Sequence, residues 1–190
     1  MKKTLIYLLA AATLTTTSCK QTKKAPVPER VVETIDEETG ISSLRELHIN
    51  DSVTVANKTY TYQFDFTPTD AVVRNPQGDD YYDNQVSLVI RQGNHEVLNR
   101  IFTKADFKAL VPSEFLHTST LCGFTYDYTS DDSSALYFIA TVGDADETAD
   151  MSFPIRLKIT PSGNISMEKA TDLETEPIRP GMTLDPTDDV

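Results

Sequence analysis

The sequence predicts a mostly β protein: a single antiparallel β-sandwich or strongly curved sheet carrying one short helix. Three observations predict it. Tyr60, Tyr62, Phe64 and Phe66 alternate with Thr61, Gln63 and Asp65, which places four aromatic rings on one face of a strand. Seven or eight short segments of this kind follow one another, separated by tight polar turns. Finally, Ala135 to Val142 (ALYFIATV) is apolar on both faces, as a central strand covered on two sides must be.

The chain opens with a different kind of segment. Lys2 and Lys3 precede an apolar run, Leu5 to Ala12, that is far shorter than the ~20 residues of a membrane span. Small and polar residues follow, Thr15-Thr16-Thr17-Ser18, and end at Cys19. This resembles a lipoprotein signal with its lipobox, although Thr16 stands where leucine is usual. The expectation is a signal peptide over 1–18 and a lipidated Cys19 as mature N-terminus, carrying palmitate. Lys20, Lys23 and Lys24 follow, with no acidic run, so an outer-membrane anchor facing the periplasm is expected.

Residues 19–43 contain Pro26, Pro28 and mixed charge, and read as the lipidated cysteine and a flexible tether. The β domain is expected over 44–170. The tail 171–190, with three prolines and several carboxylates, reads as disordered. Without residues 1–18 the chain has 172 residues, and loss of two lysines takes the net charge from −12 to −14. Such acidity offers no basic stripe for nucleic acid, so no nucleic-acid partner is expected. It equally disfavours anionic lipid head groups and leaves membrane attachment to the acyl chains. With Cys19 lipidated, Cys122 has no disulfide partner, and the fold must stand on packing.

Within the domain, Val53 to Ala56 and Tyr60 to Phe66 form a hairpin turning at Asn57-Lys58. Val86 to Arg91 and Glu96 to Phe102 form another around Gly93. Thr103 caps a helix over Lys104 to Leu110, with Asp106 completing a capping box, and Pro112 to Leu116 can begin a second turn. Thr120 to Thr129, Ala135 to Val142, Met151 to Thr160 and Ile165 to Lys169 are the remaining strands, the last two joined by Pro161 to Asn164.

Several clusters could carry chemistry. Asp144, Asp146, Glu147 and Asp150 are the candidate ligands for calcium, a hard cation needing six to eight oxygens. Their spacing lacks the glycine and closing glutamate of an EF-hand loop, which favours a solvated acidic loop. Tyr81 and Tyr82, within Asp79 to Asn84, form a candidate binding patch, weighed against a turn whose rings fold back onto the sheet. Cys122 lies in an apolar strand with no activating neighbour, and His48, His95 and His117 show no zinc spacing. There is no nucleophile elbow, P-loop or dinucleotide fingerprint, so no catalytic residue is assigned. Absence of Trp weakens a carbohydrate-binding reading. Asp51-Ser52-Val53 resembles a three-residue acceptor pattern for periplasmic O-glycosylation, making Ser52 a candidate modification site.

The segments HINDSVTVANKTYTYQFDF, DNQVSLVIRQG, IFTKADFKALVPSEF and LCGFTYDY together resemble a family of small Bacteroides-type lipoproteins carrying a domain of unknown function. The resemblance spans most of residues 44–170 and supplies no catalytic residues. The expected function is a non-enzymatic binding or accessory module of the cell envelope, with a protein or glycan partner. The alternative is a hydrolase or metal-dependent enzyme whose site is assembled from loops.

Overall fold

A computed structural model describes residues 32–146 and 148–171. Among the described residues ten strands form two sheets: β1 (Val32–Ile35), β2 (Ser42–Leu44), β3 (Leu47–Val55), β4 (Lys58–Arg74), β5 (Asp80–Gln92), β6 (His95–Thr103), β7 (Thr120–Tyr126), β8 (Leu136–Gly143), β9 (Ser152–Ile159) and β10 (Ile165–Lys169). The larger sheet runs β1-β2-β5-β4-β3, with β6 also paired to β5. The smaller runs β10-β9-β8-β7. All pairings are antiparallel except β2 with β5, which meet in parallel at Ser42 and Tyr81.

The predicted aromatic stripe is the core face of β4. Tyr60, Tyr62, Phe64 and Phe66 are all at most 3% exposed. Antiparallel register sets Tyr62 opposite Ile90, Phe64 opposite Leu88 and Phe66 opposite Val86, so the period-2 patterns of β4 and β5 add into one apolar floor. The smaller sheet closes over it. Phe64 meets Phe124 edge-on at 5.1 Å, and Tyr62 stacks on Tyr126 at 5.2 Å. Pairs of this geometry contribute about 0.5–1.5 kcal/mol each beyond their buried area. Strand β8 is buried along its whole length, as its two-sided apolar pattern requires.

Four differences from the sequence reading have physical causes. The stretch expected to be tether contains β1 and β2, whose four and three residues are too short to display a periodicity. The β3–β4 turn falls on Ala56 and Asn57, one residue earlier than expected, with φ of +49° and +61°. A left-handed alanine is unfavourable by about 1–2 kcal/mol, and the Ala56 N–H offsets this by donating to the Ser133 carbonyl at 3.0 Å. The helix is a single 3₁₀ turn, Lys104–Phe107, rather than a run to Leu110. Its i, i+3 period puts Lys104 and Phe107 on one face; Phe107 is fully buried and stacks on Phe102. Lastly, Asp80 opens β5, so the expected Asp79–Asn84 turn is largely strand. Strand β4 can pair that far because it shifts register between Pro68 and Val72, where a bulge accommodates the proline.

Candidate functional site

The two sheets meet at two polar corners of opposite character. At the first, strand β5 carries Asp83 into the interface, where its Oδ1 accepts from the Thr120 hydroxyl (2.7 Å) and the Leu121 N–H (3.1 Å). Its Oδ2 lies 3.1 Å from Lys104 Nζ, which also donates to the Ser119 carbonyl at 2.6 Å. Asn84 adds bonds to Thr120 Oγ1 and the Leu121 carbonyl. This corner is closed and tied by short bonds.

The second corner is open. Beside the Ala56–Ser133 contact, the end of β3 and the β7–β8 connection enclose a shallow cleft of about 180 Å³. Val53 and Val55 line one side, and Tyr126, Tyr128, Asp132 and Tyr137 the other. Tyr128 is 50% exposed, its ring edge-on to Tyr126 at 4.8 Å. Its hydroxyl lies 3.2 Å from the Tyr62 hydroxyl and 3.4 Å from Asp51 Oδ2. The alternation of β3 explains Asp51: it faces inward opposite Tyr62, but β3 is the edge strand and leaves it exposed.

Electrostatics differ among the carboxylates in the cleft, Asp127 and Asp132, and Asp51 beside it. Asp127 is buried against Arg156 Nε at 2.9 Å, and Asp132 binds Lys158 at 3.0 Å and the Tyr137 hydroxyl. Asp51 meets two phenols instead of a cation; among the described residues no ion pair involves it. Hydrogen bonds from Ser134 and Tyr137, then Lys158, hold the Asp132 carboxyl far below the usual range. Burial pushes the Tyr126 phenol up to about 12, and burial with the adjacent Tyr128 hydroxyl raises Tyr62 further still. Asp132, Tyr126 and Tyr62 therefore keep one protonation state across all ordinary pH, the first as a carboxylate and the other two as phenols.

The residues singled out from sequence fall elsewhere. Cys19 and Glu147 lie outside the described residues. Asp144 is fully buried and accepts from Asn75 Nδ2 and the Asp146 N–H, Asp146 caps Thr148, and Asp150 is exposed. They do not converge, and among the described residues no three His, Cys, Asp or Glu side chains form a metal-holding group. Nor do Tyr81 and Tyr82 make one patch. Strand β5 sends them to opposite faces, Tyr81 into the core at 8% exposure and Tyr82 opposite Val72, half-buried. Ser52 is exposed on edge strand β3, its N–H held by Asp51 Oδ1 at 2.7 Å. Cys122 is buried, its thiol donating to the Thr141 carbonyl. His48 pairs with Asp65 across β3 and β4, away from the cleft face, and His95 and His117 are exposed. Asp51, Tyr62, Tyr128 and Asp132 went unnoticed as a group because they span 82 positions of the chain. The one local signal was Tyr128, which continues the β7 alternation past the last paired residue, Tyr126.

Fold and cleft define a class: a two-sheet β domain with a closed structural corner and an open aromatic–carboxylate one. Residues 28–167 match the family described as a domain of unknown function, DUF4738, and the chain belongs to that family. The match takes in β1 and β2, and so begins within the stretch expected to be tether. No curated protein sequence matches the chain.

Proposed function

We propose that this protein is a lipid-anchored module of the bacterial outer membrane, tethered through Cys19 on the periplasmic side, that binds a partner without transforming it. The cleft carries the binding reading. An acid or base catalyst needs a pKa near the working pH, and three groups in or beside the cleft are displaced the other way, with Tyr62 and Tyr126 raised and Asp132 lowered. What the cleft offers instead is a half-exposed ring whose hydroxyl is already held in place, so a ligand meets a preorganised contact. Its volume lies below the ~300–1,000 Å³ of pockets that engulf a small ligand, which suits contact with a short stretch of an extended partner.

Placement of the cleft is compatible with the anchored reading. It sits at the hairpin end of β3 and β4, whereas β1 and β2 lie beside Tyr81 at the far end of β5. At about 3.3 Å per residue, the β4 path from Tyr60 to Val73 is up to about 40 Å. Cys19 precedes Val32 by 13 residues, a reach of at most about 45 Å. A tether of that reach is long enough to hold the β domain off the bilayer with the cleft accessible. Ser52, exposed beside Asp51, remains available as an O-glycosylation site under the same reading.

Metabolic palmitate labelling with membrane fractionation tests the anchor. Wild type should label and sediment with outer membranes, and Cys19→Ala should do neither; equal labelling would overturn it. Turnover of any ligand bound at the cleft would overturn the non-enzymatic part.

A further inference from the structure

We infer that the open corner binds a neutral polyhydroxylated chain, a glycan, with Tyr128 as its stacking platform and Asp51 and Asp132 as acceptors for its hydroxyl groups. This rests on the binding reading above and assigns its ligand class.

Three features of the cleft carry it. The exposed Tyr128 ring is steadied from behind by Tyr126 and at its hydroxyl by Tyr62 and Asp51. A ring so held presents a rigid apolar face with a polar tip, a surface matched to the C–H face and the hydroxyl rim of a sugar. Around it stand hydrogen-bonding groups of both senses: the carboxylates of Asp132 in the cleft and Asp51 beside Tyr128 accept, while the hydroxyls of half-buried Ser130 and exposed Ser133 donate or accept. A chain of hydroxyl groups needs that mixture.

Charge then separates a glycan from a cationic peptide. Ring plus carboxylate would also suit an arginine or lysine side chain. Here, however, Asp127 is already compensated by Arg156 and Asp132 by Lys158, at 2.9 and 3.0 Å. The protein has supplied its own cations to both carboxylates that line the cleft, so Asp127 and Asp132 present acceptors with little net charge. At those two positions an incoming cation would have to compete with an internal pair, which leaves only Asp51 beside the cleft to meet it. Anionic glycans are disfavoured by the chain's net charge of −12. Neutral hydroxyl donors satisfy the acceptors without disturbing either pair.

The test is isothermal titration of the full mature chain in detergent with neutral hexasaccharides (laminarihexaose, mannohexaose and xylohexaose), with hexa-arginine and a hexagalacturonate as charged probes. At least one neutral hexasaccharide should bind. Tyr128→Ala should weaken that binding by about tenfold, as truncation of an anchoring ring does. Tyr128→Phe should keep most of it, and Asp51→Asn should reduce it, with unchanged melting temperatures showing that each variant folds. Absence of binding to every neutral probe, or binding indifferent to Tyr128→Ala, would overturn the inference. Hexa-arginine binding that depends on Tyr128 would overturn the glycan assignment and leave the binding module standing. Silence from all five probes would count against both.

Discussion

The closed corner at Asp83 and the open corner at Asp51 use the same components to opposite ends. Each brings a carboxylate of the larger sheet against residues of β7 or its flanking segments. Asp83 is nearly enclosed and takes bonds of 2.7 to 3.1 Å from a hydroxyl, two amides and a lysine. Asp51 is exposed and meets its two phenols at 3.4 Å, the outer limit of a hydrogen bond. The difference arises from strand position. Asp83 lies on β5, flanked by β4 on one side and by β6 and β2 on the other, and the 3₁₀ turn delivers Lys104 directly to it. Asp51 lies on β3, an edge strand with no neighbour beyond it among the described residues. One corner joins the sheets; the other leaves its acceptors for something else.

Breaking the closed corner should have the largest effect. Asp83→Ala strips the partner from a Lys104 side chain that is only 20% exposed. Removing one member of a buried pair typically destabilises by about 3–5 kcal/mol, and a urea transition should shift by that order. The equivalent change at the open corner, Asp51→Ala, should alter stability by no more than about 0.5 kcal/mol, as exposed sites do. Equal losses in the two variants would erase the distinction between the corners.

A smaller effect sharpens the contrast on the polar outer face of β3. The His48 ring donates from Nδ1 to Asp65 Oδ1 at 2.9 Å, and that bond, with Asp65 and Glu46 nearby, raises its pKa above the usual 6.5. A group with a raised folded pKa lends stability that is fully present below its unfolded value and is lost as pH rises through the folded one. A proton NMR titration should therefore place the His48 midpoint above 6.5, and His48→Gln should abolish this small pH dependence of unfolding. A His48 midpoint below 6.5 would contradict the pairing.

Much of this architecture was legible in the residues. Tyr60 to Phe66 displayed its buried face, Ala135 to Val142 its two-sided burial, and Gly93 its turn, because each repeats at the period of a strand. The sites were not legible, for one physical reason. Asp83 with Lys104, and Asp51 with Tyr62 and Tyr128, are brought together by sheet-on-sheet packing, which leaves no trace in local spacing. Local reading instead picked out Tyr81 with Tyr82 and the Asp144–Asp150 cluster. In the first case strand alternation separates neighbours onto opposite faces. In the second, Asp144 turns inward to Asn75 and Asp146 back onto Thr148.

Hydrogen–deuterium exchange of the full mature chain, with and without the tightest-binding neutral hexasaccharide, tests the central claim most directly. The prediction is added protection in the end of β3 and in 126–137, the segments that form the open corner, with no change in 83–84 or 119–121 at the closed one. Protection at the closed corner, or none at the open corner under saturating sugar, would contradict the account.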